Sequence, residues 1–243
     1  MGDLISEEEF ENCTTRWCEE NVLSLAHHFH GLHNTQYERV TRFDMKGVEE
    51  FRTIDKIDKI RICLALKKVK KKNRKKEITF CPYLQINEDK GLSFELIPTT
   101  ERPPLFPKLP GSNRVPEIFK HMVWKNWDQV EMHHIDDLFH CTNKENQEKN
   151  TDKECIVRVR SFEITGADII KAINDKKEII NEIILYPGID MNKFNTKEMI
   201  SFTPVLGIKP NLFETSGTNK MGLIESNDDE TFIEYSLPCP PTC

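Results

Sequence analysis

The densest chemistry in this sequence is a run of charge. KKVKKKNRKK (67–76) holds eight basic residues in ten: Lys67, Lys68, Lys70, Lys71, Lys72, Arg74, Lys75 and Lys76. Cations at that density attract phosphate backbones or acidic protein surfaces by charge alone. The run has no aromatic residue, so it lacks the stacking platform on which single-strand recognition relies. Cys239-Pro-Pro-Thr-Cys243 sets two thiols four positions apart on a stiff turn, where they could grip a metal with two further ligands or close a small disulfide ring. His27, His28, His30 and His33, and the group His133, His134, His140 and Cys141, bring imidazole and thiolate donors that suit zinc. His30 and His140 each follow a phenylalanine directly. They also read as histidines at a helix C-terminus, where they interact favourably with exposed carbonyls.

The catalytic patterns are missing from the sequence. Ten scattered glycines form no phosphate loop, and there is no nucleophile elbow, no His-Glu-x-x-His and no paired Cys-x-x-Cys. Glu88-Asp89-Lys90 reads as a turn before Gly91. The chemistry therefore points away from an enzyme, with no cofactor. It points toward an interaction or regulatory module whose partner is another protein, with nucleic acid bound through 67–76 as one alternative. Zinc held by the tail or by the His/Cys clusters is the other.

The elements that position these groups come from a chain of 243 residues with 37 % hydrophobic and 9 % aromatic content, enough for a real core. Its net charge is −6. Without 67–76, 26 Lys and Arg would face 40 Asp and Glu, about −14, so a strongly acidic body carries one basic segment. The N-terminus (MGDLISEEEFEN) is acidic where a signal peptide is basic and then apolar, and no apolar stretch is long enough to cross a bilayer. A cytoplasmic address without membrane contact, and free thiols at the eight cysteines, follow as expectations. Cys13 and Cys18 share an apolar helical stripe and read as buried.

The sequence repeats itself. Trp17, Phe29 and His30 lie over Trp127, Phe139 and His140 at an offset of 110. VTRFDMKGVEEFRTI (40–54) lies over VRSFEITGADIIKAI (159–173) at 119, pairing Val40 with Val159, Phe43 with Phe162 and Gly47 with Gly166. Phe80, Pro82 and Leu84 match Phe202, Pro204 and Leu206 at 122. Ser6 and Glu9 open a helix with a capping box, and its stripe of apolar residues runs to Phe29, ending near Gly31. Strands are predicted around 40–45, 60–66 and 77–86, with a helix over 47–57. The second half repeats this with a helix from Pro116 and strands near 155–164, 182–186 and 199–208.

This pattern predicts an α+β fold, a tandem duplication of an α-β-α-β-β unit with its two copies packed as a pseudo-twofold pair. The first repeat spans 1–97, a proline-rich linker 98–115, the second repeat 116–208, and a tail with the CPPTC motif 209–243. Segments such as Phe43…Gly47, IRICLAL (60–66) and ITFCPYLQI (78–86), with a terminal Cys-Pro-Pro-x-Cys, resemble uncharacterised small proteins of Bacteroidetes-type bacteria that carry one such unit. The resemblance covers about 40–90 and 159–243. It implies a bacterial source and brings no activity with it.

Overall fold

The computed structural model describes residues 4–30, 38–70, 76–101, 117–143, 155–164, 166–196, 200–210, 231–234 and 237–239. Of the predicted capping box the serine half forms, while the Glu9 carboxylate turns instead to Lys67. Ser6 Oγ accepts a hydrogen bond from Glu9 N at 3.1 Å, and Glu7, Glu8 and Glu9 complement the positive end of helix α1 (Glu7–Glu19). The helix does not continue to Gly31. Glu20 and Asn21 are extended, Asn21 Oδ1 caps Leu23 N at 3.0 Å, and the chain resumes as a 3-10 turn over Val22–His28. An Asn that bonds the backbone two residues on competes with the helical ladder and stops it.

The first half continues through β1 (Arg42–Met45), a short α2 (Val48–Arg52), β2 (Ile60–Cys63), β3 (Leu66–Lys70), β4 (Lys76–Phe80), β5 (Tyr83–Ile86) and β6 (Ser93–Thr99). The second half holds α3 (Glu117–Gln129), a 3-10 turn over Met132–Phe139, β7 (His140–Asn143), β8 (Cys155–Arg158) and β9 (Ser161–Glu163). It ends with α4 (Ala167–Lys176), β10 (Ile180–Tyr186), α5 (Met191–Thr196), β11 (Val205–Pro210), β12 (Thr231–Glu234) and β13 (Leu237–Cys239). Gly47 and Gly166 sit at the starts of α2 and α4 with φ of 82° and 129°, backbone that side chains rarely adopt, which accounts for glycine at both positions.

Three predicted strands each divide in two. The segment 77–86 breaks at Cys81-Pro82 into β4 and β5, 60–66 breaks at Leu64-Ala65 into β2 and β3, and 155–164 breaks into β8 and β9. In each case one part enters the main sheet and the other enters a separate two-stranded ribbon, β3–β4 or β7–β8. Pro82 has no N–H to give a ladder and marks one of these exits. The predicted strand 199–208 begins its ladder only after Pro204. Before it, Phe202 makes a single bridge to Ile189.

The main sheet is antiparallel throughout, in the order β12-β11-β10-β1-β6-β5-β2-β9-β13. Its two ends are neighbours in the chain. Glu234 of β12 and Leu237 of β13 are three Cα steps apart, at most about 11 Å, so one edge meets the other and the sheet closes on itself. β6 behaves in the same way, with Ser93–Glu95 pairing β5 and Leu96–Thr99 pairing β1. Counting β12 and β13 as one position gives eight strands, the size at which side chains alone fill a barrel. Alternate residues do so, among them Phe43, Ile62, Leu84, Phe94, Phe162 and Leu206, all at most 1 % exposed.

The first half's strands form one contiguous block of this sheet, β1-β6-β5-β2, bordered by the second half's β10 on one side and β9 on the other. β1 pairs with β10 and β2 with β9, so each half's first strand lies beside the other half's second. The contacts at the core cross in the same manner. Trp17 Nε1 donates to Val159 O at 2.8 Å, and Trp127 Nε1 donates to Val40 O at 2.8 Å. Arg158 Nη1 donates to the carbonyls of Trp17 and Glu20, both at 2.7 Å, and Arg39 Nη1 to those of Trp127 and Asp128 at 2.6 and 3.2 Å. Each guanidinium also lies over the opposite indole, at 5.9 and 6.0 Å. Phe29 and Phe139 stack between the halves, with centroids 5.3 Å apart and planes at 17°.

Both tryptophans are fully buried, and each is the sole hydrogen-bonding route for its indole across the halves. Replacing either with phenylalanine strands a buried carbonyl and should cost about 1–3 kcal/mol. Urea denaturation of Trp17→Phe, Trp127→Phe and the double variant measures this. Midpoints unchanged from the parent would show that the crossing bonds contribute nothing.

Candidate functional site

The basic segment folds as the β3–β4 ribbon, whose register runs from Leu66 opposite Phe80 to Lys70 opposite Lys76. Leu66, Phe80 and Thr79 are buried, Lys67, Val69, Glu77 and Ile78 are half-buried, and Lys68 is exposed, so the described part of the ribbon is buried at its Leu66–Phe80 end and reaches solvent at Lys68. Lys71, Lys72, Arg74 and Lys75 lie outside the described residues. For Lys70 and Lys76 only the strand placement is described.

Helix α1 and the 3-10 turn over Val22–His28 hold the base of this ribbon from both strands. On the β3 side, Lys67 Nζ lies 2.8 Å from Glu9 Oε1 and 2.7 Å from Glu95 Oε1, and Arg16 Nη1 donates to Leu66 O. Burial works to lower the Lys67 ammonium's pKa, but hydrogen bonds to two carboxylates outweigh it and hold the group above its ordinary value. On the β4 side, Thr79 Oγ1 donates to His28 O and His30 O at 3.3 and 3.2 Å. His28 Nδ1 lies 3.3 Å from Ile78 O, and His30 Nε2 lies 3.4 Å from Glu77 Oε1.

These contacts divide the predicted basic residues by role. Lys67 is an anchor whose charge is met by Glu9 and Glu95, while the cations from Lys68 onward follow the clamped region. The second half has no such ribbon at the matching place. There the chain between β10 and β11 forms α5 and the Ile189–Phe202 bridge.

Of the histidines proposed as ligands, His30 and His140 make contacts within the fold, and His33 lies outside the described residues. His30 is 7 % exposed, and its Nδ1 lies 2.7 Å from His27 O, a carbonyl of the 3-10 turn. His140 opens β7 opposite Arg158, with Nε2 3.7 Å from Asp137 Oδ1. Cys239 pairs in backbone register with Ser161, and Cys243 lies outside the described residues. Among the described residues no group of three or more His, Cys, Asp or Glu is placed to hold a metal ion, and no helix is long and apolar enough to cross a membrane. Cys13, Cys63 and Cys81 are buried thiols, as the stripe predicts for Cys13, whereas Cys18 is exposed because it lies on the outer side of α1. Burial pushes the Cys81 thiol well up, helped by neighbouring Glu95.

Sequence reasoning missed one charged cluster. Lys59 Nζ meets Glu88 at 2.5 Å and Glu163 at 2.9 Å, and Arg61 Nη2 meets the same two carboxylates at 2.7 and 3.1 Å. The cluster closes over the β2–β9 pairing, beside an open cleft of about 840 Å³ lined by 55–59 and α4. Residues 104 positions apart carry no local signal of such a pair. Glu88 sits in the predicted turn, with Asn87 and Glu88 at φ of 54° and 58°.

The chain matches no family model, no curated protein and no solved structure.

Lys67 gives a pH test of the clamp. A lysine whose folded pKa is raised stabilises fully below its unfolded value near 10.4, and the contribution is lost as pH rises through the folded value. Lys67→Met leaves buried Glu95 with only Lys46 Nζ, 3.9 Å away, as a cation and should cost about 1–3 kcal/mol at neutral pH. The gap between parent and variant, read from urea midpoints, should narrow above about pH 10.4. A gap constant to pH 12 would remove the ion pair as its cause.

Proposed function

We propose that this chain is a non-enzymatic interaction module that grips an anionic partner through the β3–β4 ribbon. The clamp at the ribbon's base carries the reading. Two carboxylates, an arginine, a threonine and two histidine segments fix the base of an element whose sequence from Lys68 to Lys76 carries seven further cations. The matching segment of the second half, PGIDMNKFNTKEM (187–199), is not basic, so the fold itself does not require the charge.

We further propose that the framework is the tandem duplication of an α-β-α-β-β unit, its copies packed as a pseudo-twofold pair. The ring geometry supports this, because the repeat offsets relate eight of the aromatic contacts in four corresponding pairs. Phe29–Phe80 at 4.4 Å corresponds to Phe139–Phe202 at 4.6 Å, and Trp17–Phe80 at 5.3 Å to Trp127–Phe202 at 5.8 Å. Phe43–Phe80 at 5.5 Å corresponds to Phe162–Phe202 at 5.7 Å, and Trp17–Phe139 at 5.0 Å to Phe29–Trp127 at 5.4 Å. The change of offset from 110 to 119 falls between His30 and Arg39 in one half and between β7 and β8 in the other. There an isolated His30–Arg39 bridge corresponds to the His140–Arg158 pair.

Two experiments test these readings. On a sulfonated cation-exchange matrix at low salt, the parent should be retained despite its net charge of −6, while Lys68→Glu/Lys70→Glu/Lys76→Glu flows through. Lys56→Glu/Lys171→Glu, elsewhere on the surface, should behave as the parent. Equal elution of parent and ribbon variant would sink the ribbon as contact element. For the framework, a protease site placed within 102–115 and cut should leave both halves eluting together until denaturant is added. Their separation in native buffer would contradict interlocked copies.

A further inference from the structure

We infer that the anion taken by the ribbon is the phosphate backbone of duplex DNA, contacted without base specificity. This rests on the ribbon being the contact element, and it goes on to name the partner. Three observations favour a duplex. First, the shape fits, because the major groove of B-form DNA admits a two-stranded antiparallel ribbon, whereas the deep, narrow major groove of A-form RNA does not. Second, the ribbon has nothing on which to stack bases. No aromatic residue occurs between 66 and 79, and Phe80 is fully buried in the core, which disfavours single strands.

The third observation is charge density against background. From Lys68 to Lys76 the sequence holds seven cations and no anion, and the nearest acid, Glu77, is held by His30. DNA presents one negative charge per about 1.7 Å of helix axis, a linear density that a folded acidic surface does not reach. Outside 67–76 the body carries about −14, which repels the duplex and leaves the ribbon as the single point of approach. A clamp that holds the ribbon by its base suits that requirement, since the contact must be made away from the body. The backbone supplies affinity and no sequence information, so binding is uniform across sequences.

The test is fluorescence anisotropy of the full chain with three probes: a labelled 30-base-pair duplex, one of its strands alone, and poly-glutamate. The duplex should bind tightest, and its affinity should fall about 10³-fold between 50 and 200 mM salt, as expected for about six phosphate contacts. Lys68→Glu/Lys70→Glu/Lys76→Glu should lose about 100-fold or more at 50 mM salt, and the milder Lys68→Gln/Lys70→Gln/Lys76→Gln about 10-fold. Lys56→Glu/Lys171→Glu should stay within about twofold of the parent. Thermal melts of each variant confirm that the fold is intact, and the glutamine variant decides the matter if the glutamate variant fails to fold. Preferential binding of poly-glutamate or of the single strand overturns the duplex assignment and leaves the ribbon reading standing. Equal binding of all probes by parent and ribbon variants overturns both.

Discussion

Two indole N–H groups, each bonded to a carbonyl of the other half, organise this molecule. Trp17 reaches Val159 and Trp127 reaches Val40, and both acceptors lie just ahead of the first barrel strand of their half. A buried N–H and a buried carbonyl left apart are each costly, so the two halves are held in the one arrangement that satisfies both. The arginines next to the acceptors, Arg39 and Arg158, close the same crossing from the other direction by capping the helix ends beside each tryptophan. With these fixed, β1 has β10 as its neighbour and β2 has β9; β5 and β6 form a hairpin, while β1–β6, β2–β5 and β9–β13 pair across intervening elements.

That crossing also explains the placement of the basic ribbon. α1 carries Trp17 on its inner side and Glu9, Cys13 and Arg16 on turns that meet β3 and the outer face of β5. The helix that seals the core is therefore also the helix that clamps the ribbon. In the second half, α3 takes the equivalent place and meets an apolar outer patch of Ile184, Tyr186 and Val205. The two helices share their inner chemistry and differ in their outer chemistry.

Much of this was legible in the residues. The N-capping Ser6, the glycines before α2 and α4 and the matched tryptophans and phenylalanines stand where the sequence places them, whereas Lys67–Lys70 and Lys76 of the basic run, read from sequence as a loop, lie in strands β3 and β4. What was not legible is mostly non-local. A hydrophobic run such as 77–86 keeps one period across Cys81-Pro82, and nothing in it says that its first part pairs in a ribbon and its second in the barrel. The exchange of strand partners between halves is invisible to periodicity, because each strand presents the same apolar face to either neighbour. Lys67 reads as one more cation in a run, and only the approach of Glu9 and Glu95 separates it from Lys68. The Lys59, Arg61, Glu88 and Glu163 cluster needs three segments to meet before it exists at all.

Barrel closure bears on how the chain reaches this state. Phe43 finds its partner Leu185 across 142 positions of sequence, and Ser161 finds Cys239 across 78. Pairings of that separation carry a high contact order and form slowly, because the entropy of closing long loops is spent before most of the contacts exist. During synthesis the first half emerges with β1 and β2 each lacking a neighbour, two open edges that wait for the second half to be made.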